Sequence, residues 1–224
     1  DVYFTRAQVE AIWQDKYNYD ERCKLLNLMQ KENFEICYPL NYQKDTFIAP
    51  QLLNAEQPEF TWNDKDNLRF RFQYKFMPEG IITRLIVRLN HKLACGLKGK
   101  QLIWRKGAVF TDYDCRALVQ EEENRDGLKV IDIAINGKIS ERKYLLRQIS
   151  NEIQDIHYKW FRNIKVEQMI PCICRYCTKP EHKDPKFFEY QTLNRALERG
   201  KSTVECDKEF IDEAIWKAIP EGKL

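Results

Sequence analysis

Cys172, Cys174 and Cys177 fall within six residues, and Cys206 follows after a helical stretch and a strand-like run. Cys174-x-x-Cys177 lets two thiolates grip one metal ion from a tight turn. Cys172 projects from an extended chain on the same side as Cys174. Cys206 can close a tetrahedron from the far strand. Zinc favours four soft ligands in such closed sites, so the spacing predicts one structural zinc per chain on Cys172, Cys174, Cys177 and Cys206. His182 can substitute for one of them. A site saturated by Cys keeps no open coordination position, so the metal would staple residues 165–210, which have few apolar side chains of their own, rather than catalyse. Two other readings stand beside this one. Four thiols can simply lie close in sequence, although three in six residues argues against it. A redox Cys-x-x-Cys would open a helix after a strand in a thioredoxin-like setting, which is not visible here.

Other chemistry was sought along the chain. Cys95-Gly-Leu-Lys-Gly-Lys-Gln101 superficially suggests a phosphate loop, but it lacks the Gly-x-x-x-x-Gly-Lys-Ser/Thr spacing and the hydroxyl for Mg²⁺. A solvated basic turn is the simpler reading. His91, His157 and His182 form no metal-binding pair, and the first two sit in helical patterns as partly buried or surface residues. Glu121-Glu-Glu123 reads as a solvated turn at a strand end. No Ser or Cys has a recognisable nucleophile setting, so the expectation is a chain with no catalytic residues.

The elements that must position these residues follow from periodicity. Thr5-Arg-Ala-Gln8 reads as a capping box ahead of Val9, Ile12 and Trp13 at helical spacing. Asp20 is placed to cap a second helix carrying Leu25, Leu26, Leu28 and Met29. Phe34–Tyr38 alternates, a turn spans Asn41–Asp45, and Phe47-Ile48-Ala49 is strand-like. Helix, helix, strand, turn, strand is the order of a winged-helix unit. Residues 51–66 are polar and irregular, which sets a domain boundary. Leu68, Phe70, Phe72, Tyr74 and Phe76 then share one face of a strand, with Arg69, Arg71, Gln73 and Lys75 on the other. A helix from Pro78-Glu-Gly80 carries a stripe of Ile82, Leu85, Ile86, Leu89 and Leu93. Strands follow at Leu102–Phe110, Ala117–Glu121 and Leu128–Ile135, the last ended by Asn136-Gly137. A long helix near 139–161 carries Leu145, Ile149, Ile153, Ile156 and Trp160. The fold class is therefore α+β. A winged-helix-like unit (1–62) precedes an antiparallel sheet with helices on one face, in the order β-α-β-β-β-α (63–164). A small zinc-ribbon-like extension (165–224) completes the chain.

Composition bounds the class. The chain has 224 residues, 43% hydrophobic and 32% charged, enough to bury a real core. No apolar run reaches the roughly 20 residues that a bilayer span needs. Asp-Val-Tyr-Phe at the start has no initiator Met and no signal-peptide pattern, which reads as a piece of a longer chain. Of eight Cys, Cys23, Cys37, Cys95 and Cys115 are scattered; Cys23 sits in a helical pattern and Cys37 in a strand pattern, as buried free thiols of a reducing, cytoplasmic compartment would. The net charge is +3, but residues 1–65 carry 7 Lys/Arg against 11 Asp/Glu, leaving the remainder at +7.

Three segments together resemble the C-terminal-of-Roc (COR) domain of Roco proteins. Phe4–Trp13, Leu25–Met29 and Phe34–Pro39 look like the end of its first subdomain. Phe70–Phe76 running into Met77–Leu89 resembles the strand-to-helix entry of the second. Trp104-Arg-Lys-Gly-Ala-Val109 is similar to the strand that follows. The combination covers about residues 3–160, and the Cys172–Cys206 segment resembles an extension of some bacterial members. The resemblance implies a Ras-like Roc GTPase domain just upstream in the parent chain, GTPase contacts from the first subdomain and dimer contacts from the second. No phosphate loop or switch region is present, so GTP hydrolysis would belong to the parent protein.

The leading expectation is a non-catalytic regulatory and dimerisation module, a homodimer partnered by the adjacent Roc domain, coupling nucleotide state to assembly. For its self-contact, the helix at 80–93 or an edge of the 68–76 sheet are the guesses. The alternative is a nucleic-acid-binding winged-helix and zinc module. Charge argues against it: Asp20–Glu32, the would-be recognition helix, has three basic and three acidic residues in a net acidic unit. A zinc-dependent ubiquitin ligase would need about eight interleaved ligands, and too few cluster here.

Overall fold

The computed structural model describes residues 3–5, 7, 8, 11, 16–21, 24, 25, 38, 39, 46–49, 52–63, 67–96, 99–172, 177 and 185–198. In chain order the elements are β1 (Tyr3–Thr5), β2 (Tyr38–Pro39), β3 (Thr46–Ile48), β4 (Leu68–Tyr74), α1 (Ile81–Arg88), β5 (Ile103–Trp104), β6 (Gly107–Asp112), β7 (Cys115–Glu123), β8 (Lys129–Gly137), α2 (Ile139–Trp160), β9 (Val166–Pro171), β10 (Phe187–Glu189) and α3 (Tyr190–Glu198). Two compact units divide the chain: residues 1–60 with 80–108, and 61–79 with 109–224.

In the first unit β1, β3 and β2 make a small antiparallel sheet in that order. The capping box at its exit is present. The Thr5 N–H donates to Gln8 Oε1 at 2.8 Å, and the Gln8 N–H donates to Thr5 Oγ1 at 3.3 Å. A second reciprocal pair joins Asn18 and Glu21: the Glu21 N–H donates to Asn18 Oδ1 at 2.9 Å and the Asn18 N–H to Glu21 Oε2 at 3.0 Å. The cap is thus Asn18, two residues before the expected Asp20, because Glu21 can reach back to it. Most of the helix that Asp20 was expected to open, including Leu26, Leu28 and Met29, lies outside the described residues.

Helix α1 starts at Gly80, whose φ of 82° is a left-handed entry that a side chain disfavours. Ile81, Ile82, Thr83, Leu85, Ile86 and Val87 are all buried, so the helix is covered on almost every side. It ends at Arg88, and a 3₁₀ turn at Asn90–Lys92 leads to an extended Leu93, short of the continuous helix that the Leu89 and Leu93 spacing predicts. The expected strand Leu102–Phe110 is instead a hairpin, with Ile103 paired to Ala108 and Trp104 to Gly107 around Arg105-Lys106. Its turn is anchored within the same unit: the Arg105 N–H donates to the Asn54 carbonyl at 2.7 Å. The rings of Trp104 and Phe60 lie 6.3 Å apart.

The large sheet is antiparallel, in the order β10-β9-β4-β8-β7-β6-β5, and the division between units passes through β6. β4 is the first strand of the second unit in sequence, yet it lies between β8 and β9. Its alternation sends Phe70, Phe72 and Tyr74 to one face, each fully buried. Phe72 pairs with Ile131 and Phe70 with Ile133. Leu145, Ile149, Ile153 and Ile156 of α2 are buried in the same unit. Each such side chain contributes about 1.5–3 kcal/mol of burial, which outweighs the weak helix propensity of its Ile residues. Phe76 does not continue the pattern. β4 ends at Tyr74, the last residue paired with both neighbours, and Phe76 is 85% exposed.

β8 closes on a tight corner. A Cβ on Gly137 would meet the Asp114 carbonyl oxygen at 2.1 Å, and its φ is +109°. The expected Asn136-Gly137 turn is therefore a close backbone approach to the start of β7 that admits no side chain.

Candidate functional site

The cysteine segment begins where β9 ends. Phe187 of β10 pairs with Pro171, Phe188 with Ile170 and Glu189 with Met169. One further ladder bond follows, from the Cys172 N–H to the Lys186 carbonyl at 2.7 Å. That bond brings Cys172 and Lys186 together at the end of the β9–β10 ladder. Cys177 comes back to that base and packs with Cys172, both buried at 6% and 2% exposure, with half-buried Phe188 against them. Of the four predicted zinc ligands, Cys172 and Cys177 are brought together. Cys174, Cys206 and the substitute ligand His182 lie outside the described residues, as do Gly200 and the strand-like Thr203–Glu205. Among the described residues no three His, Cys, Asp or Glu side chains are grouped to hold a metal. The helix expected at Thr192–Arg199 is α3, anchored by buried Tyr190 and Leu193.

The opposite face of β4 carries a polar cluster that periodicity marks only in half. Arg69 donates to Asp132 Oδ2 at 2.9 Å and Arg71 donates to Asp132 Oδ1. Arg71 and Asp132 are both buried. The Arg71 guanidinium also lies 3.9 Å from the centroid of the Phe187 ring. Gln120, opposite Asp132 on β7, donates to Glu122. Burial, then the nearby Asp132 charge, raise the Glu122 carboxyl above its ordinary range, while Arg71 and Arg69 pull it down. Glu121-Glu-Glu123 is therefore no solvated turn. It lies inside β7, paired out to Lys129, and Lys129 forms an ion pair with Glu123 at 3.3 Å. The signal for this cluster was Asp132 itself, a carboxylate in the middle of Val130–Ile135.

On the apolar face His157 is fully buried, unlike the partial exposure expected of it. Its Nε2 lies 2.8 Å from the Tyr74 hydroxyl. Burial pushes the imidazole down to about 4 and the Tyr74 phenol well above its usual value, so both are neutral near pH 7. Cys115 is buried and donates to the Lys138 carbonyl at 3.6 Å, and burial raises its thiol, the setting of an inert cysteine. The Gly96 N–H donates to the Lys100 carbonyl at 2.7 Å and the Gly99 N–H to the Gly96 carbonyl at 3.3 Å. These two amides are used within the turn and are not turned towards a phosphate.

What this arrangement offers is an antiparallel sheet with a charged face and a cysteine-bearing hairpin. The comparisons with known proteins agree on its class. The family described as C-terminal of Roc, COR-B domain, matches residues 65–220, and C-terminal of Roc, COR-A domain, matches residues 2–53. The chain belongs to the COR family and is the COR portion of a Roco protein. It is 28% identical over 160 residues to a Roc-COR-CHAT protease from an unknown prokaryotic organism, covering 70% of this chain and 14% of that protein. It is 23% identical over 224 residues to the probable serine/threonine-protein kinase roco7 of Dictyostelium discoideum, covering 89% of this chain and 8% of that protein. The chain therefore spans a small fraction of the curated relatives it matches. Among the described residues, no helix is long and apolar enough to cross a membrane.

Proposed function

We propose that the chain is the non-catalytic regulatory and dimerisation module of a Roco-type GTP-binding protein. It couples the nucleotide state of an adjacent Roc domain in the parent chain to the assembly of two copies. The observation that carries this reading is the match to both COR subdomains in order, over residues 2–53 and 65–220. GTP hydrolysis then belongs to the Roc domain, and a cytoplasmic setting suits such a module. The β1-β3-β2 order of the small sheet supports a winged-helix-like first unit.

The helix first guessed for the self-contact is a poor candidate, because α1 is buried on almost every side. The sheet that holds β4 has its edges at β10 and β5. Tyr144 and Tyr158 of α2 are 57% and 64% exposed and share its outward side, which favours that side for a second copy.

The test is light scattering during size-exclusion chromatography on the chain joined to its Roc domain, loaded with GDP or a non-hydrolysable GTP analogue. The expected result is a dimer whose dissociation constant differs about tenfold between nucleotides, a coupling of about 1.4 kcal/mol. A monomer in both states, or one constant for both, rejects the reading.

A further inference from the structure

We infer that two copies of the chain pair through the outward face of α2, antiparallel and about a two-fold axis at Asn151, with Arg147 of each copy against Asp155 of the other. This pairing rests on the dimerisation reading above and gives it a surface.

Three observations carry it. First, the exposed residues along the middle of α2 fall in one row. Tyr144, Arg147, Asn151, Asp155 and Tyr158 are all exposed, and their spacing of three, four, four and three residues puts them on one helix face. Leu145, Ile149, Ile153 and Ile156 form the buried side. Second, the row mirrors itself. Tyr144 and Tyr158 each lie seven residues from Asn151, and Arg147 and Asp155 each lie four. A two-fold axis between antiparallel helices sets a residue before the centre level with the one equally far after it. Arg147 then meets Asp155 of the second copy about 6 Å along the helix from the axis, and Tyr144 meets Tyr158 about 10 Å from it. The face is thus complementary to itself, with opposite charges inside and aromatic rings outside, residue types that interface centres favour. A parallel pair would instead set Arg147 beside Arg147 and Asp155 beside Asp155, which like-charge repulsion opposes.

Third, both rings are already held in place. Lys143 Nζ lies 5.2 Å from the centroid of Tyr144, and the Arg162 guanidinium lies 4.3 Å from that of Tyr158. Arg162 Nε also donates to the Tyr158 carbonyl at 2.6 Å. Side chains ordered before contact lose less freedom on association. Lys143 and Lys159, each eight residues from Asn151, also fall level with each other. They stand about 80° round the helix from Asn151, on opposite sides of the row, so they meet at the rim, where salt screens their repulsion.

The test uses Roc and this chain joined, as in the parent protein. Asn151→Cys puts two thiols on the axis, within the reach of a disulfide. Oxidised glutathione should then link two chains at position 151, read by mass spectrometry of the joined peptide. Arg147→Glu and Asp155→Arg should each weaken dimerisation by about tenfold or more, since each creates like-charge pairs on both sides of the axis. The double variant should return to within about threefold of wild type, a rescue that mere damage to α2 would not give. Linkage at 151 together with that rescue supports the pairing. A dimer that neither links at 151 nor responds to the single reversals overturns the α2 surface and leaves dimerisation standing. Single reversals that weaken the dimer without rescue in the double variant also overturn it. A wild-type monomer in both nucleotide states overturns the surface and the dimerisation reading together.

Discussion

The Tyr74 hydroxyl and His157 Nε2 lie 2.8 Å apart, and the two rings stack with centroids 5.4 Å apart. One residue belongs to the interior strand β4 and the other to the long helix, so this hydrogen bond ties α2 to the sheet in a buried layer.

A pH dependence follows from that burial. The folded imidazole titrates near 4 and an unfolded one near 6.5, so below 6.5 the unfolded chain binds more protons. Stability should be complete above pH 7 and fall as the pH drops from 6.5 towards 4, by up to about 3 kcal/mol. Urea denaturation at pH 7.5 and pH 5 checks it. In His157→Phe the part of the slope between these values should vanish; an unchanged slope would show that other groups cause it.

Asp132→Ala should be among the more damaging single changes, since it removes the carboxylate to which buried Arg71 and Arg69 both donate. Breaking a buried ion pair by removing one member costs about 3–5 kcal/mol. Asp132→Asn keeps an acceptor and should cost less. Equilibrium unfolding of both variants measures the order, and equal losses would mean that the charge contributes nothing.

Gly137→Ala should destabilise the second unit by more than about 2 kcal/mol, because the new Cβ collides with the Asp114 carbonyl in a backbone conformation already costly for Ala. Gly99→Ala is the matched control, with φ +70° but nothing within 4 Å. It should lose only about 1 kcal/mol. Melting temperatures of the pair separate collision from conformation.

Phe76→Ser should change stability by less than about 0.5 kcal/mol, and Phe72→Ala should cost about 3–5 kcal/mol. The two rings sit four residues apart in one alternating run, but only Phe72 is buried. Chemical denaturation of both variants checks this; a large loss for Phe76→Ser would place that ring in a core.

Alternation made Leu68–Tyr74 legible because a strand with one buried face must repeat every two residues. It could not show where the strand stops. That depends on the last available partners, Lys129 and Val166, and neither is local. The same limit hid the polar cluster. Arg69 and Arg71 were visible as an outward pair, but Asp132 comes from a strand about sixty residues away whose register is set by pairing. The hairpin at Arg105-Lys106 was missed because its residues are charged rather than Gly- or Asn-rich, so the usual turn chemistry is missing there. The COR identity was readable from three local segments, and the matches to both subdomains bear it out. Of the cysteine site, burial and proximity of Cys172 and Cys177 add what spacing alone does not contain.

The interior place of β4, between β8 and β9, has a consequence for how the protein is made. Its flanking strands are translated much later, with Gln73 meeting Glu167 across a separation of 94 residues. A nascent chain emerging from the ribosome therefore holds β4 with both edges bare until β8 and then β9 arrive. Unpaired strand edges of this kind invite association with other chains. Chaperone engagement during synthesis should be strongest after residue 74 has emerged and should end once residue 171 is free to pair.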